Sequence, residues 1–293
     1  MKKISIIGAG RIGSAIGKVL QSAGHEVLLW DKDPQKNTNG KDVSSVTITA
    51  DFLFLCVPSW SLKEAIESVK PNLNEKTIIV SLAKGIEETS NKTSYGLLKE
   101  NLSKKIAFVV LGGPMIAESI SEGGFGMGVA ASDNKNAREA VKEIFSGTNV
   151  KIEASENPQD VSLSGVLKNI YATLIGITSG IGASENAIGF LAAESIKEMG
   201  GILKSVCGNK DSACKTECAG DFLATIFSEH SRNLKTGMEM AKSGTVQKSE
   251  GVSSLAPLVK ILGADAKDFR LLSALYEIIQ NDSDPKTEIS KLL

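Results

Sequence analysis

The run Gly8-Ala9-Gly10-Arg11-Ile12-Gly13 constrains the fold of this chain more than any other feature. It directly follows the apolar stretch Ile4-Ser5-Ile6-Ile7 and opens a helical pattern at 12–23. Glycines in G-x-G-x-x-G spacing permit a tight strand-to-helix turn, close backbone approach to a pyrophosphate, and close helix–strand packing. The helix that follows points its N-terminal amides at the phosphates. The next β-rich run, 27–30, ends in Asp31, near the place where a carboxylate would hold the ribose hydroxyls of an adenosine. An acid there repels a 2′-phosphate. The pattern therefore predicts a dinucleotide site that prefers NAD, with NADP left open by the neighbouring Lys32.

Further β-rich runs occur at 52–57, 77–82, 106–111, 125–131 and 150–153, with amphipathic helical patterns at 61–69 and 135–145. Such alternation predicts a mostly parallel sheet with helices on both faces. The texture changes after Asn157-Pro158. From about residue 160 the strand signals vanish, and helical patterns follow at 160–181, 185–206, 211–229, 231–243, 254–262, 267–280 and 284–292. The expected organisation is a dinucleotide-binding domain over 1–155 and an all-helical domain over 156–293.

Three turn motifs fall where strands of the predicted sheet end. Cys56-Val57-Pro58-Ser59 turns the chain outward, because proline blocks continuation of a strand. Leu111-Gly112-Gly113-Pro114 repeats the theme, and Ser81-Leu82-Ala83-Lys84-Gly85-Ile86-Glu87 supplies a lysine. Ligands of open α/β sheets bind at this carboxyl edge. Lys84 is thereby placed near both cofactor and substrate, against the alternative of an ordinary surface lysine.

In the second half, 218–233 carries Asp221, Thr225, Ser228 and Arg232 at i, i+4, i+7 and i+11. In one continuous helix these share a face, and a carboxylate, two hydroxyls and a guanidinium backed by apolar residues suit a small anionic substrate. A solvated helix face gives the same spacing. The chain has only four arginines among 33 basic residues, so an arginine in a polar cluster stands out as a bidentate oxyanion ligand. A net charge of −1 argues against a general nucleic-acid or membrane-surface binder. Four cysteines and two histidines match no common zinc pattern, so no metal site is expected and the thiols read as reduced, as in the cytoplasm. No targeting leader and no membrane span are read.

Taken in order, GAGRIG (8–13), CVPS (56–59), AKGIE (83–87), GGPMIAES (112–119), LKN (167–169), GD-x₃-T (220–225), SRN-x₃-G (231–237) and EGV (250–252) resemble the NAD(P)-dependent glycerol-3-phosphate dehydrogenase family from end to end. The resemblance implies a Rossmann-type doubly wound α/β N-terminal sheet plus an all-α C-terminal domain, in the 6-phosphogluconate-dehydrogenase-like group. It implies interconversion of dihydroxyacetone phosphate and sn-glycerol 3-phosphate with NAD or NADP, feeding glycerolipid synthesis, and a homodimer through the helical domain. By resemblance, Lys168 is the acid and base, with Asp221 beside it and Lys84 between cofactor and substrate. Gly113, Asn169, Thr225, Ser231, Arg232 and Asn233 surround the triose. Gly8, Gly10, Arg11, Ile12, Gly13, Asp31, Lys84, Ala117, Arg232 and Glu250 meet the cofactor. On this reading Ser231 opens a new helix as its N-cap, which breaks the continuous stripe between Ser228 and Ser231.

The chain departs from the family pattern in places. It is shorter, leaves little room for a crossover helix between Asp33 and Phe52, and is trimmed between Ala241 and Glu250. Met115 stands where a hydroxyl residue is usual, Ile116 stands where an aromatic is common, and Cys218-Ala219-Gly220-Asp221 replaces the usual G-L-G-D. The chemistry is coherent on its own terms. Ketone reduction needs hydride at carbon and a proton at oxygen, and a positioned ammonium can supply the second. Two other readings are a related dehydrogenase acting on another small phosphorylated or carboxylated hydroxy compound, and a dinucleotide-binding sensor without catalysis.

Overall fold

Apolar runs with little alternation become strands covered on both faces, as parallel sheets require. In a computed structural model, which describes residues 1–37 and 42–293, the strands are β1 (Lys3–Ile7), β2 (Glu26–Trp30), β3 (Phe52–Leu55) and β4 (Ile78–Ser81), the two-residue β5 (Ile86–Glu87) and β6 (Lys92–Thr93), then β7 (Phe108–Gly112), β8 (Gly126–Ala131) and β9 (Val150–Ser155). Seven of them form one sheet in the order β2-β1-β3-β4-β7-β8-β9. The first five run parallel, β8 turns antiparallel to β7, and β9 runs parallel to β8. β1 pairs with β2 on one side and β3 on the other, so the order reverses at β1 and opens a crevice at the strand ends there.

Helix α1 (Arg11–Ser22) buries Ala15, Ile16, Val19 and Leu20 against this sheet. Among the described residues, the short segment between β2 and β3 holds a 3₁₀ turn (Pro34–Lys36) and α2 (Val43–Ile48), six residues long; part of that segment, 38–41, lies outside the described residues. Helices α3 (Ser59–Val69), α4 (Ser94–Asn101), α5 (Ala117–Ser121) and α6 (Lys135–Ile144) complete this part. The periodicity leaves α4 and α5 unpredicted.

Residues 1–84 and 92–162 form one compact unit, and 85–91 with 163–293 form the other. The segment 85–91 thus leaves the sheet for the helical unit, where Ile86 is fully buried and its amide donates to Ser254 Oγ at 3.0 Å.

Helix α7 (Pro158–Gly180) supplies the centre of the helical core through Leu163, Val166, Leu167, Ile170, Tyr171, Leu174 and Ile177. Its length and composition would suit a membrane span, but its apolar window is entirely buried in the fold. Around it stand α8 (Glu185–Cys207), α9 (Asp221–Phe227), α10 (Arg232–Ser243), α11 (Glu250–Leu262), α12 (Arg270–Gln280) and α13 (Pro285–Ser290). The helix expected over 211–229 is instead three pieces. A 3₁₀ turn (Lys210–Cys214) and a π turn (Thr216–Gly220) precede α9, which stops at Phe227.

Helices α7 and α10 cross at glycines. A Cβ on Gly176 would lie 2.2 Å from the Leu234 carbonyl oxygen, and one on Gly237 would lie 2.2 Å from the Thr173 carbonyl oxygen. The two backbones therefore touch, which seats the first turn of α10 beside Asn169.

Candidate functional site

The first unit gathers its predicted residues along the carboxyl edge of the sheet. Gly8 sits at φ +99°, and a Cβ there would meet the Cys56 carbonyl oxygen at 2.7 Å. At Gly13 a Cβ would collide with the Gly8 carbonyl oxygen at 1.9 Å, so the turn and the helix–strand contact both demand glycine. At Gly10 a Cβ would project into open space, in front of the first turn of α1. A bare backbone facing outward at a helix N-terminus fits a pyrophosphate.

Asp31 leaves the end of β2 and ties this turn down. Its Oδ2 accepts the Ala9 amide at 2.8 Å and its Oδ1 accepts the Asp33 amide at 3.0 Å. Each carboxylate oxygen keeps a second lone pair for a ribose hydroxyl. Lys32, the residue that leaves NADP open, is ion-paired with Glu64 on the surface. Arg11 pairs with Glu118 at 2.7 Å, which brings it next to Ala117 at the start of α5, and Ile12 and Ala117 both pack on the core of the sheet. Lys84 donates from Nζ to the Gly113 carbonyl at 2.9 Å. Gly113, at φ +100°, has no room for a Cβ, which would lie 2.6 Å from the Met127 carbonyl oxygen. Met115 is buried in the sheet core, so its side chain is packing and not a polar contact.

The second unit brings together two linked groups on α7. Lys168 and Asp221 are buried, with Nζ 3.4 Å from Oδ1. Thr225, one turn after Asp221 on α9, donates its hydroxyl proton to the Asp221 carbonyl at 2.7 Å. A hydroxyl has one proton, so towards Lys168 Nζ, 3.0 Å away, Thr225 can only accept. The ammonium is thus aimed by two acceptors, and a charge this buried depends on such pairing.

The neighbouring Asn169 accepts from Asn233 Nδ2 at 2.7 Å, and Asn233 Oδ1 accepts the Gly251 amide at 2.9 Å. Ser231 caps α10 through Leu234 N at 3.2 Å, as its position predicts. Arg232 is exposed at the first position of α10, beside Asn233, and Glu250 is half-buried at the first position of α11.

The continuous stripe of 218–233 does not exist: Ser228 lies past the end of α9, in extended conformation, and Arg232 belongs to the next helix. Asp221 and Thr225 remain on one face. Sequence reasoning overlooked the π turn that precedes Asp221, and the small residues Thr173, Gly176 and Gly180 that follow Asn169 on one face of α7. That run of small residues at helical spacing was the available signal.

Comparison with known proteins covers nearly the whole chain. Residues 3–41 and 34–138 match the model described as NAD-dependent glycerol-3-phosphate dehydrogenase N-terminus, and 158–290 match the corresponding C-terminus. A glycerol-3-phosphate dehydrogenase [NAD(P)+] of Clostridium botulinum is 27% identical over 323 aligned positions, spanning 100% of this chain and 97% of the relative. One of the same description from Halothermothrix orenii is 28% identical, spanning 99% and 94%. The alignments are longer than the 293 residues of this chain, so the relatives carry insertions that it lacks. Among solved structures, a glycerol-3-phosphate dehydrogenase of Coxiella burnetii superposes with a TM-score of 0.90 at 23% identity, covering 99% of this chain and 98% of that one; the likeness establishes the fold.

Proposed function

Because the chain belongs to the NAD-dependent glycerol-3-phosphate dehydrogenase family, we propose that it interconverts dihydroxyacetone phosphate and sn-glycerol 3-phosphate, a glycerolipid precursor, using NAD(P)H. The observation that carries this reading is the buried Lys168 aimed by Thr225 and Asp221. When bound, the reduced nicotinamide supplies hydride to the ketone carbon. Lys168 gives its proton to the ketone oxygen, and takes one from the alcohol in the reverse direction. Asp221 offsets the cost of burying the ammonium, and Thr225 fixes its direction.

Asn169, Ser231, Arg232 and Asn233 are assigned to the triose and its phosphate, supported by the first turn of α10, whose amides and guanidinium suit an oxyanion. Lys84 and Gly113 are assigned to the substrate from the sheet edge. Gly8, Gly10, Arg11, Ile12, Gly13, Asp31, Lys84 and Ala117, with Arg232 and Glu250, are assigned to the cofactor. On this assignment the functional division is a dinucleotide-binding domain over 1–155 and a substrate domain over 156–293. A cytoplasmic setting is part of the reading, supported by four cysteines without disulfides. A homodimer through the helical unit is part of it too; the exposed Phe190 and Phe227 are the kind of surface that pairing covers.

The test is to follow NADH absorbance with dihydroxyacetone phosphate and a panel of other ketones. Rapid oxidation with the triose phosphate supports the reading. Oxidation only with other ketones points to a related dehydrogenase, and binding without turnover across the panel points to a sensor.

A further inference from the structure

Resting on the cofactor assignment above, we infer that Glu64 is a specificity-determining residue: by holding Lys32 in an ion pair, it denies NADP the cation next to Asp31 that could receive its 2′-phosphate. NAD and NADP differ only in that phosphate on the adenosine ribose, which carries roughly two negative charges at neutral pH. A site separates them by the charges it places around the ribose. Asp31, assigned to the ribose, opens the described stretch 31–37, which holds two carboxylates and two ammonium groups. Lys36 is paired with Asp33, its Nζ 3.2 Å from Oδ2. Lys32 is paired with Glu64 on α3. The Asp31 carboxylate instead accepts two backbone amides, which leave its charge uncancelled. With Glu64 included, both ammonium groups are matched by a carboxylate, and one negative charge is left over, on Asp31.

The sheet topology makes this pairing possible. β2 and β3 flank β1, whose carboxyl end carries the glycine turn. Lys32 lies in the chain that leaves β2, and Glu64 lies on the helix that follows β3. The ion pair therefore joins the two neighbours of β1 at the edge where the dinucleotide is assigned. Both side chains are more than half exposed, so the pair is a competition between two anions for one ammonium, not a fixed lock. A lysine that must leave a carboxylate to meet a phosphate gains little by the exchange. A lysine without that carboxylate keeps the whole gain.

Fluorescence titration with NADPH and with NADH, at low salt where exposed charges are least screened, tests the inference. Glu64→Gln should tighten NADPH binding about two- to fivefold, the range of one exposed ion pair, and leave the Kd for NADH unchanged. In a Lys32→Ala background the same substitution should lose most of that gain. The full gain without Lys32 would overturn the inference, because Glu64 would then act through its own charge. An unchanged Kd for NADPH in Glu64→Gln would overturn it as well. Glu75→Gln serves as the control for net charge, since Glu75 pairs with Lys105 in the segments that lead into β4 and β7, at the other edge of the sheet. It should leave both Kd values unchanged, and a gain equal to that of Glu64→Gln would contradict a specific role for Glu64. The titrations need no triose phosphate. A protein that binds NADH but ignores the triose phosphate would defeat the substrate reading alone. Binding of neither nucleotide would defeat the cofactor assignment and this inference with it.

Discussion

On the proposed assignment, Arg232 and Asp31 are the residues whose charge selects ligands. Arg232 stands at the first position of α10, exposed, where the amides of a helix N-terminus already favour an anion. Arg232→Ala should raise KM for the triose phosphate by an amount equivalent to roughly 1.5–3 kcal/mol, with a much smaller change in kcat. Steady-state kinetics across substrate concentration checks this split. Asp31 spends one lone pair of each oxygen on backbone amides, and on the proposed assignment its negative charge faces the place of a 2′-phosphate. Lys32, already paired with Glu64, does little to cancel that charge. The specificity constant should therefore favour NADH over NADPH, and Asp31→Ser should narrow the gap. A wild-type preference for NADPH would refute this account of Asp31.

At the scale of elements, the crossing of α7 and α10 sets the polar cluster assigned to the substrate. Gly176 and Gly237 let the two backbones touch, and the contact carries Asn233 to Asn169. Gly237→Ala should force the helices apart and cost about 1–3 kcal/mol, as overpacking generally does. Thermal unfolding should report a lower Tm, together with a raised KM because the asparagine pair separates. Much of this level was legible in the sequence. Ser231 reads as an N-cap and is one, and Gly8–Gly13 reads as a tight strand-to-helix turn and forms one. The breaks in 211–229 were not legible. Turns of 3₁₀, α and π helix differ by a fraction of a residue per turn, and over five residues apolar spacing cannot separate them. α4 stayed hidden because its apolar residues are adjacent, Leu97-Leu98, and mark no stripe.

For the whole molecule, the segment 85–91 links stability to pH. Burial pushes the Glu87 carboxyl up, but hydrogen bonds from the Thr89 and Ser90 amides outweigh it and hold it at about 2. A carboxyl held below its ordinary value adds stability that is complete above about 4.5 and is lost as pH falls through about 2. Across that window Glu87 should contribute up to a one-proton slope, on the order of 1.4 kcal/mol per pH unit, to the fall in unfolding free energy, and Glu87→Gln should remove that component. Urea titrations at several pH values would check it, and equal slopes in both proteins would contradict it. Glu198 acts in the opposite sense. Burial raises its carboxyl, although the Leu271 and Leu272 amides and the Tyr171 hydroxyl donate to it, so it favours the fold at low pH and not at high. The sequence announced two halves by its change of texture. It could not announce that 85–91 crosses to the helical half, because Ile86 finds its partner, Ser254, far along the chain.

The most direct test of the whole account is turnover of Lys168→Ala with NADH and dihydroxyacetone phosphate. If the ammonium between Thr225 and Asp221 is the proton donor, as proposed, the variant should lose about 10²–10⁴-fold in kcat. Its NADH affinity, read by fluorescence titration, should stay close to wild type. Near-normal turnover by a folded Lys168→Ala protein would contradict the account.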